Sequence, residues 1–286
     1  MKDPCRGTGL FLQNDGLKMV KNRDTMTNRE GRCGSMQEGK IIQSVAKAMQ
    51  LLDLLAAAKA PMGLAEISQE TGWPKSTVHG LLSTMRDYSV VAQDDQGRYM
   101  LGIRLFEYGC TLSGSWTILE AARPHIQHIS YETGQTVFLS ILDRGEVITL
   151  DHAESRIGLE IVAEVGCRLP VHCTSQGKLF LAHMSEAERV NTLARNPLEA
   201  FTDHTITTRP QLQKELEKIR RDGYAIENGE YKTGLRSVAA PVFDADGRVS
   251  YAIGIIGMFR HIETELFTKA IKVVCEAAEK ISKEMQ

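Results

Sequence analysis

At 286 residues, 42% of them hydrophobic and 24% charged, the chain has the profile of a soluble globular protein long enough for two domains. A formal net charge of −2 excludes a generally basic polyanion binder, so any contact with nucleic acid must be local to one face. The six cysteines lack paired spacing, and no apolar run reads as a leader or a membrane span, so a cytoplasmic protein with reduced thiols and no membrane partner is expected.

Residues 1 to 39 show no hydrophobic period and are expected to be a disordered tail without a role, a basic arm built on its scattered lysines and arginines being the weaker alternative. From Ile41 to Ala58, Val45, Ala48, Leu52 and Leu55 fall at helical spacing, and Ser44 is placed to cap the helix start. Ser44 and Lys47 there would offer a hydroxyl and a cation to a phosphate.

The stretch from Leu64 to Met85 reads as a helix-turn-helix. Leu64, Ala65 and Ile67 give a short apolar face, Gly72 and Trp73 break it, and Val78, Leu81, Leu82 and Met85 restart a 3.6-residue period. Two starts fit the second helix: Pro74 in its first turn, or Ser76 capping a helix that begins at Thr77. Lys75, Ser76, Thr77 and His79 then point outward as donors, where a recognition helix meets base edges and phosphates, with Arg86 further along. Val90 to Leu101 brackets an Asp94–Gly97 turn and reads as a hairpin, a wing carrying Arg98 and Tyr99 on its return strand. A winged helix-turn-helix over residues 40–102 is the expectation.

Residues 103 to 115 read as a linker helix whose Ile103, Leu105, Phe106 and Leu112 want burial, which makes it a natural dimer surface. Beyond it, a helix over Leu119–Tyr131 stops at Gly134, and the period then switches to two. Hairpins are expected at Val137–His152 and Leu235–Gly257, a strand at Leu159–Val165, and helices at Ser175–His183, Pro210–Arg221 and Ile262–Met285. Helices flanking a mostly antiparallel sheet make residues 116–286 an α+β domain.

Cys167, His172 and Cys173 have thiolate and imidazole chemistry but not the spacing of a zinc knuckle, so no metal is expected. On a strand, His172 and Cys173 would point to opposite faces, which leaves Cys173 as a buried thiol rather than a nucleophile. No phosphate-binding loop, nucleophile elbow or dinucleotide fingerprint is present, so neither an enzyme nor a cofactor is expected. A metabolite-binding or enzymatic protein whose first domain mediates protein contacts remains the alternative; polar donors at Lys75, Ser76, Thr77 and His79, rather than aromatic anchors, favour nucleic acid.

Over roughly residues 40 to 284 the sequence resembles the IclR-type transcriptional regulators. Gly223 to Asp244, GYAIENGEYKTGLRSVAAPVFD, carries the most specific pattern, and LPVHCTSQGK and TGQTVFLSI fit in order. The resemblance implies a winged-helix DNA-binding domain joined to a GAF-like domain that binds a small metabolite, acting as dimers or pairs of dimers on promoter operators in double-stranded DNA. It further implies effector contacts at Ser175, Gln176, Gly177, Glu227, Leu235, Ser237, Gly254 and Ile256, with Ile161 and Leu169 as apolar walls. A helix N-terminus at Ser175 to Gly177 suits an anion, so a carboxylate effector is expected. Where the family often has Asp and Cys, this chain has Glu227 and Ser237, and Gly254 and Ile256 replace hydroxyl-bearing residues. The pocket loses donors and gains apolar surface, which points to a larger or aromatic acid.

Overall fold

The computed structural model describes residues 41–114, 116–154 and 164–286. Contacts divide them into two units, with the division between Gly102 and Ile103. The expectations for residues 1 to 39, and the position of Ile161, lie outside the described residues. So does most of the strand expected over Leu159–Val165, of which Glu164 and Val165 lie at a turn.

The first unit consists of α1 (Gln43–Ala57), α2 (Leu64–Thr71), α3 (Lys75–Asp87), β1 (Val91–Gln93) and β2 (Tyr99–Leu101). Val78, Leu82 and Met85 of α3 close over Leu51, Leu55 and Ile67, as their spacing requires. At about 1.5–3 kcal/mol for each large side chain taken out of water, this cluster supplies most of the driving force available to so small a unit. Gly72 ends α2 with φ 71°, a left-handed conformation that costs a glycine little.

Three local expectations need correction. The helix starts at Gln43 with Ile42 as its N-cap, so Ser44 sits exposed inside the first turn and caps nothing. Pro74 is itself the N-cap of α3, its carbonyl accepting from the amides of Thr77 and Val78, so Ser76 is not the cap. Ala48, Leu52 and Leu55 pack on the core as their spacing requires, joined by Leu51, whereas Val45 in the first turn is 57% exposed and lies beyond it.

The second unit begins with α4 (Ile103–Gly114) and α5 (Thr117–Thr133). Next come β3 (Thr136–Asp143), β4 (Glu146–Ala153), β5 (Arg168–Leu169), α6 (Ser175–His183), α7 (Glu186–Arg195) and α8 (Arg209–Asp222). The chain closes with β6 (Ala225–Asn228), β7 (Arg236–Phe243), β8 (Val249–Gly257) and α9 (Glu265–Glu284). The strands form one antiparallel sheet in the order β5-β4-β3-β8-β7-β6, so the α+β expectation holds. Alternation sorts its side chains: Val137, Leu139, Val238, Ala240, Ile253 and Ile255 pack under α5 and α9. Phe138, Ala239 and Ala252 face α6 and α8. Strand β6 and helix α7 were not foreseen, and α4 has no buried side chain.

Candidate effector site and DNA-facing helix

The second face of the sheet meets the start of α6. Thr174 caps that helix: its hydroxyl accepts from the Gly177 amide at 3.2 Å and donates to the Pro170 carbonyl at 2.7 Å. A Cβ at position 177 would overlap the backbone of Val171, so only glycine lets the helix start lie this close to the incoming segment. Ser175, Gln176, Gly177 and Lys178 are all buried as a result.

Cross-strand pairing sets Glu227 beside Ser237, Ser237 beside Ile256, and Ile256 beside Thr136. The Ser237 hydroxyl lies 2.8 Å from that of Ser175 and 3.2 Å from Glu227 Oε2. The other oxygen of Glu227 accepts from the amides of Glu230 and Tyr231 at 2.7 and 3.2 Å. Burial pushes the Glu227 carboxyl up to about 7, against the pull of those two amides.

A second buried network lies alongside. Lys178, fully buried, pairs with Glu230 and stands 3.4 Å from Glu215 on α8. Burial raises the Glu230 carboxyl while Lys178 opposes that shift. The Glu230 backbone carbonyl is held by the hydroxyls of Thr205 and Thr202 at 2.6 and 3.2 Å. This network stitches α6, α8 and the turn after β6 together.

The structure thus brings Ser175, Gln176, Gly177, Glu227 and Ser237 into one cluster, with Ile256 in the same cross-strand row and Leu235 half-buried just before β7. Leu169, on the edge strand β5, packs against the same apolar cluster as Phe138 and Ile256. Gly254 lies under the ring of Phe138, and a Cβ on it would overlap both that ring and the Val238 carbonyl. Sequence reasoning missed Lys178 and Phe138; the lysine of the SQGK stretch was a readable signal, the phenylalanine was not.

His172 and Cys173 lie in the irregular segment before α6, not on a strand. His172 Nε2 is 2.9 Å from the Glu199 carbonyl, its ring stands 5.9 Å from that of Phe201, and burial lowers its pKa. Cys173 is buried, and desolvation pushes its thiol far above the usual range. The imidazole is thus committed elsewhere. Among the described residues no group of three His, Cys, Asp or Glu side chains could hold a metal ion.

In the first unit, α3 exposes Lys75, Ser76 and His79, with Thr77 half-buried. Arg86 donates to Gln93 at 2.7 Å, which ties the end of α3 to the wing. Arg98 pairs with Asp94 at 2.7 Å, and the same carboxylate accepts from the amides of Gln96 and Arg98, holding the wing turn in shape. Lys47 lies 5.2 Å over the Trp73 ring, near the start of α3. Tyr99 is the correction: at 3% exposure it belongs to the core of this unit, and its strand also bridges to Met62, so its ring has no surface for DNA.

Comparison with known proteins agrees with this geometry. Residues 44–95 match the IclR helix-turn-helix domain, and residues 110–283 match the bacterial transcriptional regulator IclR C-terminal domain. The HTH-type transcriptional regulator XynR of Escherichia coli is 36% identical over 216 residues, covering 75% of this chain and 86% of its own. The crystal structure of an IclR-type regulator from Alicyclobacillus acidocaldarius superposes with a TM-score of 0.76 at 30% identity, covering 86% of this chain and all of the other. An IclR homologue from Microbacterium hydrocarbonoxydans, solved with 4-hydroxybenzoate, shares the fold at 24% identity and a TM-score of 0.75, over 85% and 98% of the two chains. With a helix-turn-helix in one unit and a sheet-borne cluster in the other, the chain belongs to the IclR family of transcriptional regulators, with a DNA-binding helix-turn-helix and a carboxyl-terminal effector domain.

Proposed function

We propose that this chain switches a promoter in response to a small organic acid, binding double-stranded operator DNA as a dimer or a pair of dimers. The observation that carries the reading is the α3 surface: donors at Lys75, Ser76, Thr77 and His79 stand on a helix fixed from behind by Val78, Leu82 and Met85. Four side chains on one helix read few base pairs, so a second copy completes the reading head. Dimerisation is supported by apolar surface that the single chain leaves open: Ile41, Ile42, Val45 and Met49 on and just before α1, and Ile103, Phe106 and Tyr108 on α4.

The effector reading rests on Ser175, Gln176 and Gly177 at the start of α6, where the amides of Ser175 and Gln176 and the helix dipole favour a carboxylate, the Gly177 amide being taken up by the Thr174 hydroxyl. Gly254 and Ile256 supply no hydroxyl, and Phe138, Leu235 and Ile256 supply apolar surface, so an aromatic monocarboxylate fits better than a two-carbon acid. The family neighbour with 4-hydroxybenzoate makes that acid the first probe.

The test is a mobility-shift titration of the full chain against its own upstream DNA at rising salt, followed by thermal shifts with 4-hydroxybenzoate, benzoate and glyoxylate. A regulator of this kind loses about a hundredfold or more in affinity from 50 to 200 mM salt. A bound acid raises the unfolding temperature. A flat salt response with no preference for the upstream DNA would refute the reading.

A further inference from the structure

Three oxygen–oxygen contacts run in a line from β6 into the first turn of α6. Glu227 Oε2 lies 3.2 Å from Ser237 Oγ, Ser237 Oγ lies 2.8 Å from Ser175 Oγ, and Ser175 Oγ lies 3.3 Å from Gln176 Oε1. Each contact needs one proton between its oxygens, and the two hydroxyls supply two. With Glu227 ionised, Ser237 donates to it and Ser175 donates inward to Ser237. The last contact then has no proton, unless the Gln176 amide turns to donate instead. With Glu227 as the acid, its own O–H donates to Ser237, Ser237 donates to Ser175, and Ser175 donates outward. The two arrangements differ by one proton and by the direction in which Ser175 donates.

We propose that a carboxylate effector binds this site together with one proton, carried by Glu227. The proposal rests on the effector reading above: the incoming carboxylate takes the place of Gln176 Oε1 as the acceptor for Ser175, and only the acid form of Glu227 turns that hydroxyl outward. The O–H formed on Glu227 takes its proton from the buffer acid, whose own bond to that proton is the one broken.

Among the described residues Glu227 is hydrogen-bonded by two amides and a hydroxyl and by no cation, and Lys178, whose charge favours its ionised form, is shared. Lys178 on α6 already faces two carboxylates, Glu230 after β6 and Glu215 on α8. The Cys173 thiol and the Tyr231 phenol are both held neutral by burial, and β7 faces Glu227 with Ser237. A second anion placed beside an ionised, 2% exposed carboxylate adds repulsion, which the acid form of Glu227 avoids. The pull of burial on Glu227 puts the exchange near neutrality.

The experiment is calorimetry of 4-hydroxybenzoate binding to the full chain at pH 8 in phosphate and in Tris, whose ionisation heats differ widely. Uptake of close to one proton is expected, with affinity falling roughly tenfold per pH unit above about 7. Glu227→Gln should bind with no buffer dependence and a flat affinity from pH 6 to 8.5. Wild-type binding without proton uptake, or a Glu227→Gln protein that keeps the pH slope, overturns the proposal. If 4-hydroxybenzoate does not bind, the aromatic-acid reading fails, and thermal unfolding without ligand decides the proton question. A Glu227 carboxyl that holds its proton to about pH 7 stabilises the fold fully below about 4.5 and loses that contribution as pH rises through 7. Wild type should therefore lose several degrees relative to Glu227→Gln between pH 5 and 8. Parallel profiles overturn the proposal.

Discussion

Replacing Lys178 by Met removes an ammonium and leaves a side chain of similar reach. In the folded protein the change strands Glu230, which is 7% exposed and whose Oε2 has no hydrogen-bond partner among the described residues. Glu215, partly exposed, can turn to solvent; Glu230 cannot. Removing one member of a buried ion pair costs about 3–5 kcal/mol, most of it the uncompensated charge left behind. At roughly 2–4 °C per kcal/mol for a unit of this size, the midpoint of thermal unfolding should fall by about 10 °C. Circular dichroism at pH 7 and at pH 5 measures it. The loss should shrink at the lower pH, because Glu230, raised by burial and no longer held down by Lys178, then enters the fold as the neutral acid. The double variant Lys178→Met, Glu230→Gln should recover much of the loss, since both charges are gone. A single variant within a degree of wild type, or a double variant no better than the single, would show that the pair is not acting as a buried ion pair.

Three further outcomes follow from the packing. Gly254→Ser should destabilise the second unit by about 1–3 kcal/mol in urea, because its Cβ meets the Phe138 ring and the Val238 carbonyl. An unchanged midpoint would mean that both yield freely. Tyr99→Phe should leave operator affinity within twofold, whereas Tyr99→Ala should unfold the winged unit at a cost of about 3–5 kcal/mol; a tenfold loss of DNA binding in a well-folded Tyr99→Phe protein would put the Tyr99 hydroxyl at the interface. Thr77→Ala and His79→Ala should weaken the preference among DNA sequences in mobility shifts, and Arg86→Ala should weaken binding to all sequences alike. Equal losses at all three would contradict that division of labour.

What could be read from the chain alone followed the strength of its periodicities. The α2–α3 pair was legible because Val78, Leu82 and Met85 repeat at helical spacing behind a glycine turn, and the wing because a DDQG turn separates two short apolar runs. Strand β6 was not, since its inward residues are Ala225 and Glu227, and a buried carboxylate breaks the apolar alternation that announces a strand. Helix α7 has no fully buried residue and packs on the core through the half-buried Leu193; its readable mark was the capping box between Ser185 and Glu188. Val45 was assigned to the core because apolarity does not distinguish a face turned inward from one left exposed. Of the candidate site, Ser175, Glu227 and Ser237 could be named through the resemblance, but the line of hydroxyls that joins them depends on cross-strand register. Phe138 filling the space over Gly254 likewise follows from pairing between β3 and β8, which no local pattern encodes.

Gly102 carries a lesson for recombining such proteins. It is buried where the wing ends, its amide donates to the Val90 carbonyl, and any Cβ there would run into the backbone carbonyl of Ser89. The division between the two units falls just after it. A chimera that joins this DNA-reading unit to another sensor should therefore keep the glycine and splice at Ile103. A cut one residue earlier that imports a side-chain-bearing residue would wedge the return strand away from the end of α3, and the hybrid would fail in its reading head whatever its sensor binds.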